Sequence, residues 1–199
     1  HPTELPAGDW DVAVFENRFP SLSLGAQDPP QVIVPSAPAL GKCEVVVFTQ
    51  DARSSLGALP LDHLELVLEV WANRTEKLGN LAGIDYVLPF ENRGAEVGVT
   101  LHHPHGQIYA YPVVPPVPAR MQQIAAEHYQ SHRSGVLQDL INEELNGPRM
   151  LYRGEHAVAF VPVCARYPYE VWVAPIAAVA SFAHLTGNQR ADLARALKT

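Results

Sequence analysis

The stretch 101–110, with the sequence LHHPHGQIYA, concentrates the residue types that carry out chemistry in this chain. It begins with three histidines and a proline, continues with glycine and glutamine, and ends in the alternating residues typical of a β-strand. Because every second side chain of a strand points to the same face, His103, His105 and Gln107 are predicted to form one row. Imidazole can attack phosphorus or bind a metal, and a carboxamide donates hydrogen bonds, so the row suits a phosphate-bearing substrate.

Two neighbours of the row favour a pocket over a packed core. Gly106 has no side chain, which lets another backbone segment or a ligand approach closely. Pro104 cannot donate to a sheet ladder, so the strand begins either at a sheet edge or where it leaves a loop. A His-x-His pair on a strand is equally typical of a metal site, and that interpretation stays open on spacing alone.

Composition narrows the class of protein. The chain has 199 residues, of which 47% are hydrophobic and 18% charged, as expected for a globular fold with a sizeable core. A net charge of −7 and the absence of a Lys/Arg run disfavour a nucleic-acid partner, and no apolar run approaches the length of a membrane span. Cys43 and Cys164 form no CxxC motif, which favours a reducing, cytoplasmic setting, with a single disulfide as the alternative.

The predicted elements are typical of an α+β fold. Strands that follow one another without a helix between them favour an antiparallel sheet with helices packed on it. The order of elements before residue 111 is expected to begin again after residue 157, and the last helix is expected to continue past the end of the sequence. Strands are predicted over 12–15, 44–49, 84–91, 103–111, 150–153, 157–162 and 170–174, and helices over 60–78, 118–131, 136–145 and from 186 onward.

Several segments resemble galactose-1-phosphate uridylyltransferases of the histidine-triad superfamily. HPHGQIYA at 103–110 is similar to the family's active-site strand, FENRFP at 15–20 to its uridine-contacting segment, and FENRGAEVG at 90–98 to its phosphate-side loop. Further segments resemble the start of the family's second half, at 155–162, 167–170, 185–186 and 191–193. The resemblance implies a histidine-triad-like (HIT-like) antiparallel sheet with packed helices, in one full repeat plus the beginning of a second.

The resemblance also implies a reaction and its residues. The family exchanges UMP between UDP-glucose and galactose 1-phosphate through a covalent uridylyl-histidine, with His105 in the position of the nucleophile. Gln107 matches the residue that donates to the phosphate oxygens of this intermediate. The implied substrate-binding residues are Phe15 and Asn17 for the nucleoside and Asn92, Gly98 and Thr100 near the phosphates.

The organisation implied by the resemblance has three parts. Residues 1–118 are expected to form the N-terminal HIT-like catalytic unit, 119–149 a helical connection, and 150–199 the truncated start of a second HIT-like unit. A cytoplasmic homodimer acting in galactose metabolism is implied as well.

Zinc is the cofactor implied by the family, but most of its ligands are missing here. Relatives bind it through two upstream cysteines, a histidine after the second strand and the first histidine of HPH. The last of these is His103, whereas Ala52 stands near the position of the other histidine and Asp51 is the only carboxylate close by in sequence. One ligand does not make a zinc site.

Two alternatives to a uridylyltransferase remain open. An ADP-sugar or dinucleotide phosphorylase would share the histidine strand and differ in the base it binds. A non-catalytic nucleotide-binding fragment that needs a partner chain would keep the fold without the exchange reaction.

Overall fold

A computed structural model describes residues 5–97 and 102–199 of the chain. By their internal contacts the residues divide into two compact units. The first comprises 1–56 and 73–115, and the second comprises 57–72 and 116–199. The predicted three-part division at 118 and 149 stays a prediction.

The first unit is built on a four-stranded sheet in which every pair of neighbouring strands is antiparallel. Helix α1, Leu61–Gly79, contributes its residues from 73 onward to this unit. The α+β class and the antiparallel sheet are therefore confirmed. The strands are β1 (Ala13–Glu16), β2 (Lys42–Val47), β3 (Tyr86–Phe90) and β4 (His105–Tyr111), in the order β1-β2-β4-β3.

Strand β4 lies inside the sheet and begins at His105, where it pairs with Val47 of β2. The prediction that His103 belongs to the strand was wrong: His103 lies in a bend before it. Pro104 has no N–H for the ladder, so strand pairing begins one residue later. Of the two alternatives for this proline, the exit from a loop is the one observed, while His105 and Gln107 share a face as predicted.

The opposite face of β2 and β4 is buried. Gly106, Ile108 and Ala110 of β4 are buried, and so is Glu44 of β2. Arg74 of α1 binds the Glu44 carboxylate with two hydrogen bonds, from Nε at 2.8 Å and from Nη2 at 2.5 Å. A buried carboxylate needs such a partner, so this pair holds the part of α1 that belongs to the first unit on the face of the sheet that does not carry His105.

The second unit contains a three-stranded antiparallel sheet, ordered β5-β6-β7, with helices packed around it. Helix α2 begins at Pro116, two residues earlier than predicted, because proline is tolerated in the first turn of a helix. Within the described residues no helix is both long and apolar enough to cross a membrane. The elements of the second unit are α2 (Pro116–His132), α3 (Val136–Glu144), β5 (Met150–Arg153), β6 (Ala157–Phe160), β7 (Trp172–Pro175) and α4 (Gly187–Leu197). Across both units, short 3-10 helices are described at Leu56–Ala58, Ala95–Val97 and Phe182–His184.

Helix α4 is tied to the strands of the second unit through Asp192, which is 4% exposed. Its carboxylate accepts hydrogen bonds from Tyr152 Oη at 2.5 Å and from the backbone N–H groups of His156 and Ala157 at 2.6 and 2.8 Å. Burial acts to raise the pKa of Asp192, but these hydrogen bonds outweigh it and hold the pKa below its ordinary value. The ionised carboxylate is therefore the form that stabilises the fold.

We expect Asp192→Asn to lower the free energy of unfolding by roughly 2–4 kcal/mol at pH 7, since an amide cannot accept all three hydrogen bonds. Because the folded-state pKa lies below the unfolded value of about 3.9, the stabilisation is present above that pH and is lost as the pH falls through the folded-state value.

Urea unfolding from pH 3 to 8 measures this dependence of the unfolding free energy on pH. The parent should lose its advantage over the variant at acid pH, whereas Asp11→Asn, on an exposed residue, should behave like the parent throughout. An unchanged midpoint for Asp192→Asn at pH 7 would refute the assignment.

Candidate functional site

The histidines lie beside a cavity at one end of the first unit's sheet. Because β2 and β3 both run antiparallel to β4, the segments that follow these two strands meet the segment that precedes β4. Together the three segments enclose a cavity of about 480 Å³, a volume typical of small-molecule sites. Its lining comes from residues 52–55, 91–95 and 102–105.

The ring of His105 is held by its own backbone neighbourhood. Its Nδ1 lies 2.7 Å from the carbonyl oxygen of His103. A carbonyl can only accept, so Nδ1 donates to it, and in the neutral ring Nε2 keeps its lone pair. The family resemblance predicts a nucleophile at this position, and the half-buried His105 lines the cavity.

His103 ties two of the segments together. Its Nε2 lies 2.6 Å from the carbonyl oxygen of Thr49, which follows β2. This contact leaves Nδ1 as the ring nitrogen that a metal could use. Across residues 5–97 and 102–199 no group of three or more His, Cys, Asp or Glu side chains is placed to hold a metal ion. The described residues do not by themselves form a zinc site, and in this structure His103 connects the segment before β4 to the segment after β2 through its hydrogen bond.

Gln107 lies on the same face of the sheet as His105. Across the sheet it pairs with Val45 of β2, and Val45 pairs with Phe15 of β1, so the three side chains form a transverse row. Asn17, just after β1, places its side-chain Nδ2 3.3 Å from Gln107 Oε1. The structure therefore brings the predicted nucleoside-binding residues Phe15 and Asn17 to the predicted phosphate-binding Gln107.

The loop after β3 supplies charged groups to the cavity. Asn92, one of the predicted phosphate-side residues, lines it together with Arg93, and Arg53 lines it from the segment after β2. Glu91 also lines it, and burial raises the pKa of its carboxyl, while the charges of Arg93 and His105 act in the opposite direction. Two arginines and an imidazole in the lining of one cavity suit a phosphorylated ligand.

No individual role was predicted for Arg53 or Glu91, because their place beside the histidines depends on how the strands pair. Each follows a strand that pairs antiparallel with the histidine strand, so its backbone was bound to arrive at the histidine end of the sheet. The other two predicted phosphate-side residues, Gly98 and Thr100, lie outside the described residues.

Comparisons with known proteins show which family the chain resembles. The family model described as "Galactose-1-phosphate uridyl transferase, N-terminal domain" matches residues 7–115. The galactose-1-phosphate uridylyltransferase of Streptomyces lividans is 45% identical over 167 residues, which are 83% of this chain and 43% of that protein. The one from Thermotoga maritima is 36% identical over 201 residues, which are 98% of this chain and 62% of that protein.

A solved uridylyltransferase structure superposes with a TM-score of 0.90 at 32% identity, covering 100% of this chain and 68% of that one. A more distant relative, named ADP-glucose phosphorylase in Arabidopsis thaliana, is 24% identical over 194 residues, covering 96% of this chain and 54% of that protein. The chain thus spans about half the length of the curated relatives it matches.

Proposed function

The chain belongs to the galactose-1-phosphate uridylyltransferase family, and from this premise we propose that it carries the nucleophile for exchange of UMP between UDP-glucose and galactose 1-phosphate. The observation that supports this most strongly is the His105 ring, whose Nδ1 donates to the His103 carbonyl and so leaves Nε2 as the nitrogen able to attack, beside a cavity lined by Arg53 and Arg93. The names of the relatives supply the substrate class.

In the first half-reaction, the Nε2 lone pair of His105 attacks the α-phosphorus of UDP-glucose. The Nε2–P bond forms, the bond between phosphorus and the bridging oxygen breaks, and glucose 1-phosphate leaves with the electron pair. The uridylyl-imidazole then carries a positive charge, which the hydrogen bond from Nδ1 to the His103 carbonyl stabilises.

In the second half-reaction, a phosphate oxygen of galactose 1-phosphate attacks the same phosphorus. The Nε2–P bond breaks and its electrons return to the imidazole, so His105 is regenerated and UDP-galactose is released. Gln107 donates an amide hydrogen to a phosphate oxygen in both steps, in a position where charge develops. Asn92 and the guanidinium of Arg93 hold the departing and arriving phosphates.

Zinc has no step in this proposal, because the described residues bring no three candidate ligands together, whereas a zinc site takes four ligands. We also propose a cytoplasmic setting, because both cysteines are free, Cys43 buried and Cys164 exposed, which is what a reducing compartment maintains.

A homodimer is proposed as well. Light scattering after size-exclusion chromatography measures the oligomeric state, and a monomer mass would refute the dimer.

The second candidate is an ADP-sugar phosphorylase, favoured by the likeness to the Arabidopsis thaliana relative. An exchange assay distinguishes the two. The chain is incubated with galactose 1-phosphate and inorganic phosphate as the two acceptors, together with either UDP-glucose or ADP-glucose, and the released glucose 1-phosphate is measured. The proposal predicts release from UDP-glucose and at most about 1% of that rate from ADP-glucose, since a base-specific site discriminates by about 100-fold or more. Preferential release from ADP-glucose would replace the proposal with the second candidate. Release from neither, by the folded chain, would favour a nucleotide-binding fragment that needs a partner chain.

A further inference from the structure

A chain of three hydrogen-bonding groups leads from the backbone of the uridine-side segment to Gln107. The backbone N–H of Phe19 donates to Asn17 Oδ1 at 3.0 Å, and Asn17 Nδ2 donates to Gln107 Oε1 at 3.3 Å. The backbone of Asn17 is itself fixed, since its N–H donates to the Cys43 carbonyl at 2.9 Å. Asn17 is therefore held at the end of β1 on both its backbone and its side chain.

The direction of both amides follows from the first of these groups. A backbone N–H can only donate, so the Asn17 atom that faces Phe19 is the acceptor Oδ1. The other end of the same amide is then Nδ2, which can only donate, so Gln107 must meet it with the acceptor Oε1. One backbone N–H thereby fixes the orientation of two side-chain amides in sequence.

The orientation of the Gln107 amide decides which of its atoms is available to a substrate. With Oε1 engaged by Asn17, the Nε2 group is free to donate, and among the described residues no acceptor is hydrogen-bonded to it. Gln107 lies on the same face of β4 as His105, two residues along the strand. A flipped amide would place a carbonyl oxygen where the proposed mechanism needs a donor, and two negative oxygen atoms would then face each other.

We infer that Asn17 is a positioning residue, which holds the Gln107 amide with its N–H₂ group toward the phosphate oxygens of the nucleotide. The inference rests on the proposed function and adds to it. Asn17 acts through Gln107, in addition to any contact that it makes with the nucleoside.

The test compares Asn17→Asp, Asn17→Ala and the parent in the rate of uridylyl transfer to the protein in a single turnover. A carboxylate at position 17 accepts instead of donating, so it turns the Gln107 amide around, whereas alanine only releases it. We expect Asn17→Asp to lower the rate constant by about 100-fold, as for loss of an oriented donor to a developing oxyanion, and Asn17→Ala to lower it less. The affinity for UMP, measured by calorimetry, should change much less than the rate in Asn17→Asp.

Two further readouts separate positioning from a merely structural or nucleoside-binding role. In a Gln107→Ala background, Asn17→Asp should have no further effect on the rate constant, because the group through which it acts is gone. The ratio of the Asn17→Asp rate to the parent rate should rise as the pH falls, since a protonated carboxyl can donate to Gln107 Oε1, while the Asn17→Ala ratio stays flat. Asn80→Asp, on an exposed residue of the same unit, serves as the matched control.

Equal rates for Asn17→Asp and Asn17→Ala, or additive effects with Gln107→Ala, would overturn the inference. The ¹⁵N side-chain resonance of Gln107, assigned by its loss in Gln107→Ala, gives a readout that needs no turnover. This resonance should shift in Asn17→Asp and not in Asn80→Asp. If the parent forms no adduct, the proposed function fails, while this resonance still tests the hydrogen bond between Asn17 and Gln107. If the adduct forms and the resonance does not shift in Asn17→Asp, only the positioning role of Asn17 fails.

Discussion

Replacing His105 with asparagine is expected to abolish uridylyl transfer, with a loss of at least about 10⁴-fold in the exchange rate. The variant removes the nitrogen that forms the bond to phosphorus. His103, the nearest candidate in sequence, already directs Nε2 to the Thr49 carbonyl. The rate of glucose 1-phosphate release from UDP-glucose, with and without galactose 1-phosphate, measures the loss.

The fold should survive this substitution, which keeps the effect interpretable. His105 is half-buried and belongs to a strand paired on both sides, so the melting temperature is expected to change by only a few degrees. His132→Asn, on an exposed residue at the end of α2, provides a matched control and should retain the parent rate. An active His105→Asn enzyme would eliminate the covalent mechanism.

Gly106→Ala is expected to destabilise the first unit by about 1–3 kcal/mol, the cost of overpacking a filled site. A Cβ at this position would lie 2.8 Å from the ring of Phe48 and 2.9 Å from the carbonyl oxygen of Phe90. Phe48 is fully buried and the carbonyl belongs to β3, so neither group can yield cheaply. Displacing β3 also moves the loop that carries Asn92, so the exchange rate should fall together with stability.

Urea unfolding of Gly106→Ala measures the loss of unfolding free energy, and the exchange assay measures the fall in the exchange rate. Gly57→Ala makes a suitable control, because an added Cβ there meets nothing within 4 Å, and its unfolding free energy should stay within about 0.5 kcal/mol of the parent. If Gly106→Ala were as stable as the parent, the close approach of β3 at this position would not constrain the site. The glycine of the HPHGQ segment would then need another explanation.

The placement of His105 and Gln107 on one face of the sheet could be predicted because the sequence pattern that indicates it is local. The alternation of β4 placed His105 and Gln107 on one face, and the buried Gly106, Ile108 and Ala110 confirm that period. The same periodicity extended the strand too far toward its start and placed His103 in it. Proline ends the ladder by lacking a donor, a local fact that the apparent alternation of histidines concealed.

The groups that periodicity could not supply are those brought together by strand pairing. Arg53 and Glu91 lie far from the histidines in sequence and reach the same cavity because β2 and β3 each end where β4 begins. The tie between Asn17 and Gln107 is of the same kind, since it spans 90 positions and depends on the register of β1, β2 and β4. The direction of these hydrogen bonds decides whether the Gln107 amide presents its N–H₂ group or its oxygen to a substrate. No local sequence pattern predicts that direction.

Intact-protein mass spectrometry after mixing the chain with UDP-glucose shows whether His105 becomes uridylylated. The sample is quenched under alkaline conditions, in which a phosphorylated histidine survives. We expect a mass increase of one uridylyl group on the parent and none on His105→Asn. The absence of the increase in folded parent protein, or its presence in His105→Asn, would contradict the assignment of His105 as the nucleophile of this chain.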